Sequence, residues 1–341
     1  MPSGDAMNVE RLPGRGAPLL SVTDLKVKFL IGGGFLSRRP PAVLKAVDGV
    51  SFDLRPGETL GLVGESGCGK STLGRAVLRL LDNVEGRVVW LGQDLSRLDH
   101  EGMRQRRKEM QIIFQDPLAS LNPRMPIGEI IAEPLKTFFP DTPAAEVKAR
   151  VKAMMASVGL LPNQINRYPH EFSGGQCQRI GIARAMINNP KLIICDEPVS
   201  ALDVSIQAQI VNLLMDLQRE KGMALIFISH NLSVVRHISH RIMVLYLGRV
   251  AEVADREQLY KNPRHPYTQA LISAVPIPDP EKERQRQRLV LKGDIPSPLI
   301  PPSGCTFRTR CPKATEICAR DRPELLTIES GHQVACHHWN E

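Results

Sequence analysis

Gly64-Glu65-Ser66-Gly67-Cys68-Gly69-Lys70-Ser71-Thr72 decides how this chain is read. It follows an apolar run, Thr59 to Val63, of the kind that forms a buried strand, and it precedes Leu73 to Leu81, which reads as a helix. Strand, glycine-rich turn and helix in that order are the setting in which G-x-x-x-x-G-K-[ST] forms a phosphate-binding P-loop. The glycines let backbone N–H groups turn inward around an anion. The helix N-terminus adds a favourable dipole. Lys70 can then reach the outer phosphates, and the Ser71 hydroxyl can ligate Mg²⁺.

Working outward, the flanks alternate short strands with helices. Leu20 to Leu30 alternates apolar and polar positions, and Val43 to Leu54 and Val88 to Leu91 carry further strand patterns. Ile31 to Pro41 reads as a loop, and residues 1 to 18 as a disordered N-terminus without a secretory signal. Met110 to Phe114 reads as a strand ending at Gln115. Residues 117 to 172 lack strand patterns and read as a helical insertion. Within it, Thr142 is expected to cap a helix with Pro143 at its first position, and Val147, Val151, Met154 and Val158 recur at helical spacing. A helix is expected from Ser173, because Gln176 lies at capping-box distance. Leu192 to Cys195 and Ala224 to Ile228 are all-apolar strands of a parallel sheet, joined by a helix from Ile206 to about Glu220.

Ligands of such sheets bind at the carboxyl ends of the strands. The P-loop, Gln115, the pair Asp196-Glu197 and His230 all fall there. Asp196 stands where it can hold Mg²⁺, directly or through water. Glu197 can orient or deprotonate an attacking water. His230 can bridge toward a terminal phosphate, and Gln115 can sense Mg²⁺ and water from a flexible edge.

These pieces resemble the ABC ATPases over roughly residues 20 to 260. Phe172-Ser173-Gly174-Gly175-Gln176 resembles the family's signature motif, Ser200-Ala201-Leu202-Asp203 its D-loop, Gln115 its Q-loop glutamine and His230 its switch histidine. Phe29 is the matching candidate for an aromatic stacked on adenine. The resemblance implies an α/β P-loop NTPase core with a parallel sheet, an antiparallel β subdomain and a helical insertion. It implies ATP and Mg²⁺ as cofactors, with Gly64, Glu65, Ser66, Gly67, Cys68, Gly69, Lys70, Ser71 and Thr72 on the nucleotide. Mg²⁺ would be held through Ser71, Gln115 and Asp196. Glu197, His230, Lys70 and Gln115 would serve hydrolysis. It also implies a head-to-tail dimer in which Ser173, Gly174, Gly175, Gln176 and Asp203 of one subunit complete the ATP site of the other.

Phe114 to Arg124, Tyr168 to Gln176, Asn262 to Thr268 and Pro296-Ser297-Pro298 further resemble the oligopeptide/dipeptide importer branch, above all its second, F-type, ATPase subunits. The partners implied are a homologous ATPase subunit in a heterodimer, two transmembrane permease subunits docked near Gln115 and the helical insertion, and an extracytoplasmic peptide-binding protein. The chain would sit at the cytoplasmic face of the inner membrane. Nickel importers share much of this pattern.

Composition bounds the alternatives. The chain has 341 residues, 42% hydrophobic and 23% charged, as in a globular protein with a core. No apolar run approaches the roughly 18 to 20 residues that span a bilayer. The net charge of +8 suits nucleic acid or an anionic membrane face, and equally a solvated basic surface. A soluble ABC protein acting on nucleic acid or ribosomes is therefore the competing reading, against which stand the single cassette, the 4% aromatic content and the tail. A P-loop kinase has no use for Ser173 to Gln176.

The sequence divides at about residue 262, with an ATPase domain over 19–262 and a proline-rich extension over 263–341 that includes the charged run Glu281 to Arg288. Cys305, Cys311, Cys318 and Cys336 are separated by five, six and seventeen residues, with no CxxC knuckle. Spacing alone leaves incidental thiols, zinc and an iron–sulfur cluster open. The importer resemblance favours a [4Fe–4S] cluster, with His332, His337 and His338 as possible substitute ligands. Cys68, Cys177 and Cys195 read as packing residues.

Overall fold

The computed structural model describes residues 16–32, 42–276, 279, 281, 284 and 289–341. Residues 1–15 of the N-terminal stretch expected to be disordered, most of the Ile31–Pro41 loop and most of the charged run Glu281–Arg288 fall outside these residues.

In chain order the strands and α-helices are β1 (Leu20–Ile31), β2 (Ala42–Leu54), β3 (Thr59–Val63), α1 (Lys70–Val77), β4 (Val84–Trp90), β5 (Gln93–Asp94), α2 (His100–Arg107) and β6 (Met110–Ile113). Then come α3 (Ile127–Phe138), α4 (Ala144–Ser157), α5 (Gly174–Met186), β7 (Leu192–Asp196), α6 (Val204–Lys221), β8 (Ala224–Ile228), α7 (Leu232–Ile238), β9 (Arg241–Tyr246) and β10 (Arg249–Asp255). The chain closes with α8 (Arg256–Lys261), α9 (Pro266–Ser273), α10 (Glu316–Arg320), β11 (Leu326–Glu329) and β12 (His332–Val334).

Two sheets result. One is antiparallel, in the order β2-β1-β4-β5. The other runs β11-β12-β10-β9-β3-β8-β7-β6. Its five strands β9, β3, β8, β7 and β6, the last at the edge, pair in parallel. Side chains alternate across these strands, so both faces are buried. Leu60, Leu62, Ile194, Ile226 and Ile228 join the core under the antiparallel sheet. Ile193, Cys195, Leu225 and Phe227 join the core shared with α5, α6 and the helical insertion. The α/β P-loop architecture with an antiparallel subdomain and a helical insertion is therefore present.

Several local expectations are corrected. Helix α1 begins at Lys70 and stops at Val77, because Arg79 takes a left-handed backbone (φ 52°) that ends the helical ladder. Thr142 does not cap α4. Pro143 holds the cap position in an extended conformation without a side-chain cap bond, and Met155 rather than Met154 completes the buried face with Val147 and Val151. The hairpin β9–β10 was not anticipated, although two apolar runs flank the turn at Leu247-Gly248. The tail is less loop-like than its prolines suggest. Its hairpin β11–β12 extends the main sheet, with Glu252 opposite Val334 and Val253 opposite Gln333.

Candidate functional site

The loop between β3 and α1 is shaped by three glycines with positive φ, Gly64 (153°), Gly67 (78°) and Gly69 (103°). At Gly69 a Cβ would collide with the carbonyl oxygen of Ala46 on β2, so the antiparallel sheet presses directly on the loop. Lys70 is 4% exposed and folds back over the loop, its Nζ donating to the carbonyl oxygens of Gly64 (2.8 Å) and Glu65 (3.0 Å). Cys68 is buried beside it, and burial pushes its thiol pKa up despite the nearby ammonium. Ser66 and Gly67 are exposed, and Ser71 and Thr72 half-buried.

Parallel pairing of β3, β8, β7 and β6 brings their carboxyl ends side by side, and the polar residues there meet. Ser71 Oγ donates to Asp196 Oδ1 at 2.6 Å, and Arg75 lies 3.5 Å from Asp196 Oδ2. Glu197 follows directly, in a left-handed conformation (φ 48°), with its N–H donating to Ile228 O. Glu197 Oε2 accepts from Gln115 Nε2 at 3.3 Å and lies 3.2 Å from His230 Nδ1. Residues from four segments, Ser71, Gln115, Asp196-Glu197 and His230, therefore converge beside the P-loop.

Ser173 and Gln176 form the expected capping box, with Ser173 N donating to Gln176 Oε1 (2.9 Å) and Gln176 N to Ser173 Oγ (3.4 Å). Ser173, Gly174 and Gln176 are exposed, so the free N–H groups of the first turn of α5 open to solvent. Asp203, at the start of α6, is exposed too and makes no side-chain cap bond. Phe29 is half-buried on β1 opposite Leu44, two residues before Ala46 at the loop.

Two residues at the loop were not singled out from sequence. Glu65 N donates to the hydroxyl of Tyr267 on α9 at 2.9 Å. Its carboxylate is clamped by both terminal nitrogens of Arg310, at 2.7 and 3.0 Å. Tyr267 lies in Asn262–Thr268, a stretch already prominent in the sequence. Arg310 carries no local signal, being one arginine among many in a polar segment.

The four tail cysteines share one neighbourhood. Cys305 N donates to Cys318 O at 2.8 Å, and His338 N to Cys336 Sγ at 3.3 Å. Burial pushes the Cys336 thiol up to about 11, and the adjacent Cys311, Cys305 and Cys318 push the same way. Two of the histidines are engaged elsewhere: His332 is buried against Glu252 (2.7 Å) and His337 faces Asp321 O, so neither stands as a substitute ligand. His338 stays beside the cysteines, its ring between Glu341 and the Thr315 hydroxyl that also meets Cys318 Sγ. Among the described residues, no group of three or more His, Cys, Asp or Glu side chains is arranged to hold a metal ion.

Comparison with known proteins agrees with this geometry. The ABC transporter family model matches residues 47–200, and that of the oligopeptide/dipeptide transporter C-terminal region matches residues 251–318. The oligopeptide transport ATP-binding protein OppF of Salmonella typhimurium is 61% identical over 319 residues, covering 93% of this chain and 95% of that protein. AppF of Bacillus subtilis, also described as an oligopeptide transport ATP-binding protein, is 54% identical over 320 residues, covering 94% and 97%. Among solved structures, the ATP-binding cassette MJ0796, dimeric in a post-hydrolysis state with ADP and Pi, is similar at a TM-score of 0.62 and 27% identity, covering 70% of this chain and 98% of that one.

Proposed function

This chain belongs to the ABC transporter ATPases of the oligopeptide transport type, and from that premise we propose that it binds and hydrolyses ATP to power peptide import through membrane permease subunits. The observation that carries the reading is the convergence of Ser71, Gln115, Asp196, Glu197 and His230 beside a P-loop whose lysine is already turned inward.

The roles follow from where each atom stands. The inward N–H groups of the P-loop and the N-terminus of α1 hold the phosphates. Ser71 Oγ and Asp196 Oδ1, 2.6 Å apart, are hard oxygen donors suited to Mg²⁺. When bound, Mg²⁺ offsets charge on the phosphoryl group. Lys70 can swing from the Gly64 and Glu65 carbonyls to the outer phosphates. Glu197 accepts a hydrogen bond from a water and takes its proton as that water attacks. Gln115 and His230 keep the Glu197 carboxylate aimed. The exposed Ser173-Gly174-Gly175-Gln176 turn and Asp203 serve a second, homologous subunit, supplying another helix N-terminus to the terminal phosphate of that subunit's ATP. Phe29 stacks on the adenine.

No helix among the described residues is long and apolar enough to cross a membrane, so the chain reaches the bilayer through the permeases. A groove of about 530 Å³ in the helical insertion, lined by Glu129, Ala132, Lys136, Val147 and Val151, is the surface we assign to permease docking on the cytoplasmic side. A peptide-binding protein on the far side completes the importer. The tail beyond residue 262 joins the ATPase core, with β12 paired to β10 and with Tyr267 and Arg310 at Glu65 of the P-loop. Its four cysteines are the set to which the importer resemblance assigns a [4Fe–4S] cluster, but no three of them are arranged around one metal position, so the geometry does not carry that assignment. Stoichiometric iron and acid-labile sulfide in anaerobically purified protein would support it, and iron-free protein of full stability would end it.

The central test is Glu197→Gln in the assembled importer. Loss of the base should slow ATP hydrolysis by about 10² to 10⁴-fold with ATP binding retained, and uptake of a radiolabelled peptide should fall with it. Hydrolysis at the wild-type rate would refute the role of Glu197.

A further inference from the structure

The P-loop is gripped from outside by the C-terminal segment, 245 residues away along the chain from Glu65 to Arg310. Glu65 is held on three sides. Its N–H goes to Tyr267, its carbonyl oxygen accepts from Lys70, and its carboxylate meets the guanidinium fork of Arg310. Arg310 is itself fixed. Its side chain is 8% exposed and lies over the Tyr246 ring at 6.0 Å. Its backbone N–H donates to Phe307 O (3.0 Å), and Phe307 is 1% exposed, packed edge-on against Tyr246 (5.2 Å) and tilted against Tyr267 (5.4 Å). Cys305 and Cys311 bracket this short loop.

We propose that Arg310 is a positioning residue for ATP, and that through its clamp on Glu65 the C-terminal segment forms part of the nucleotide site. The inference rests on the reading of Gly64–Thr72 as that site. Two physical effects carry it. Gly64, Gly67 and Gly69 leave the loop backbone with wide freedom, and a bidentate charged pair on the one acidic residue among them removes much of it before the nucleotide arrives. The pair also cancels a carboxylate charge beside the place where phosphates bind. Without Arg310, Glu65 would stand as an uncompensated anion, 24% exposed, next to a polyanionic ligand.

The second effect gives the proposal a signature that simple docking of the tail lacks. If Arg310 acts in part by neutralising Glu65, then removing the Glu65 charge should relieve part of the loss caused by removing Arg310. The assay is binding of fluorescent mant-ATP with Mg²⁺ to the full-length chain. Arg310→Ala should raise the Kd about tenfold, equivalent to about 1.4 kcal/mol. Arg310→Ala combined with Glu65→Gln should bind more tightly than Arg310→Ala alone, because the uncompensated charge is gone while the lost hold on the loop remains. Arg310→Lys, which keeps the charge but loses the fork, should fall between. An unchanged Kd in Arg310→Ala overturns the proposal, and so does a double variant as weak as or weaker than Arg310→Ala alone. Should Arg310→Ala fail to fold, Arg310→Lys decides: a wild-type Kd there overturns it. A wild-type chain that does not bind mant-ATP would instead strike the nucleotide-site reading, and this inference with it.

Discussion

Replacing Glu252 with alanine should unfasten the tail from the core. Glu252 on β10 has no exposed surface, yet it carries a carboxylate. Its Oε1 accepts from Arg264 N and from His332 Nε2, both at 2.7 Å, and its Oε2 from His265 N at 2.9 Å. One side chain thus ties β10 to the entry of α9 and to β12. Alanine would strand three donors, two of them buried. A buried donor left unsatisfied costs about 1 to 3 kcal/mol, and more where its partner is charged. The losses overlap, so a net loss of about 4 kcal/mol is expected. At about 2 to 4 °C per kcal/mol for a chain of this size class, the melting midpoint should fall by on the order of 10 °C. The stranded donors belong to the tail, so the tail should open before the core. Limited proteolysis should then cut after residue 255 under conditions that leave the wild type whole. Glu252→Gln keeps an acceptor and should lose about half as much. A melting midpoint within about 2 °C of wild type, with an unchanged digestion pattern, would refute the reasoning.

Two further outcomes follow from the same contacts. His265 is fully buried and burial holds its imidazole at about 4, below the ordinary 6.5, with Glu252 pulling weakly the other way. The unfolded chain takes up that proton near pH 6.5 and the folded chain only near pH 4, so this contribution to stability is complete above pH 6.5 and lost as pH falls toward 4. Urea midpoints at pH 7 and pH 5 should therefore differ more for wild type than for His265→Asn, which keeps a capping side chain for α9. Gly69→Ala places a Cβ against the Ala46 carbonyl and forces alanine to φ near 103°, so mant-ATP binding should weaken by more than about tenfold, while the melting midpoint falls by only a few degrees.

Much of the nucleotide site was legible because its signals are local. Gly64 to Thr72 states its own turn and helix start, and Ser173 with Gln176 states another. Leu192 to Cys195 and Ala224 to Ile228 are short all-apolar runs, and both form buried strands. The errors came where a neighbour outweighed the local pattern. Leu78 to Leu81 looks helical but turns away through the left-handed Arg79. His332 looks like a free ligand but is consumed by Glu252, 80 residues earlier.

By itself, the sequence determined the class of machine: a phosphate loop, the polar residues that end its parallel strands, and a second, exposed helix start at Ser173. These rest on backbone conformations that a few adjacent residues dictate. Only the tertiary structure decided where the tail docks. Its prolines and scattered cysteines carry no local period, and an arginine at position 310 has the same local chemistry as any other. Packing of Phe307 between Tyr246 and Tyr267, three aromatics from three distant segments, is what brings Arg310 to Glu65. Burial of side chains far apart in sequence is a property of the whole folded chain, so no stretch of it read alone could disclose that contact.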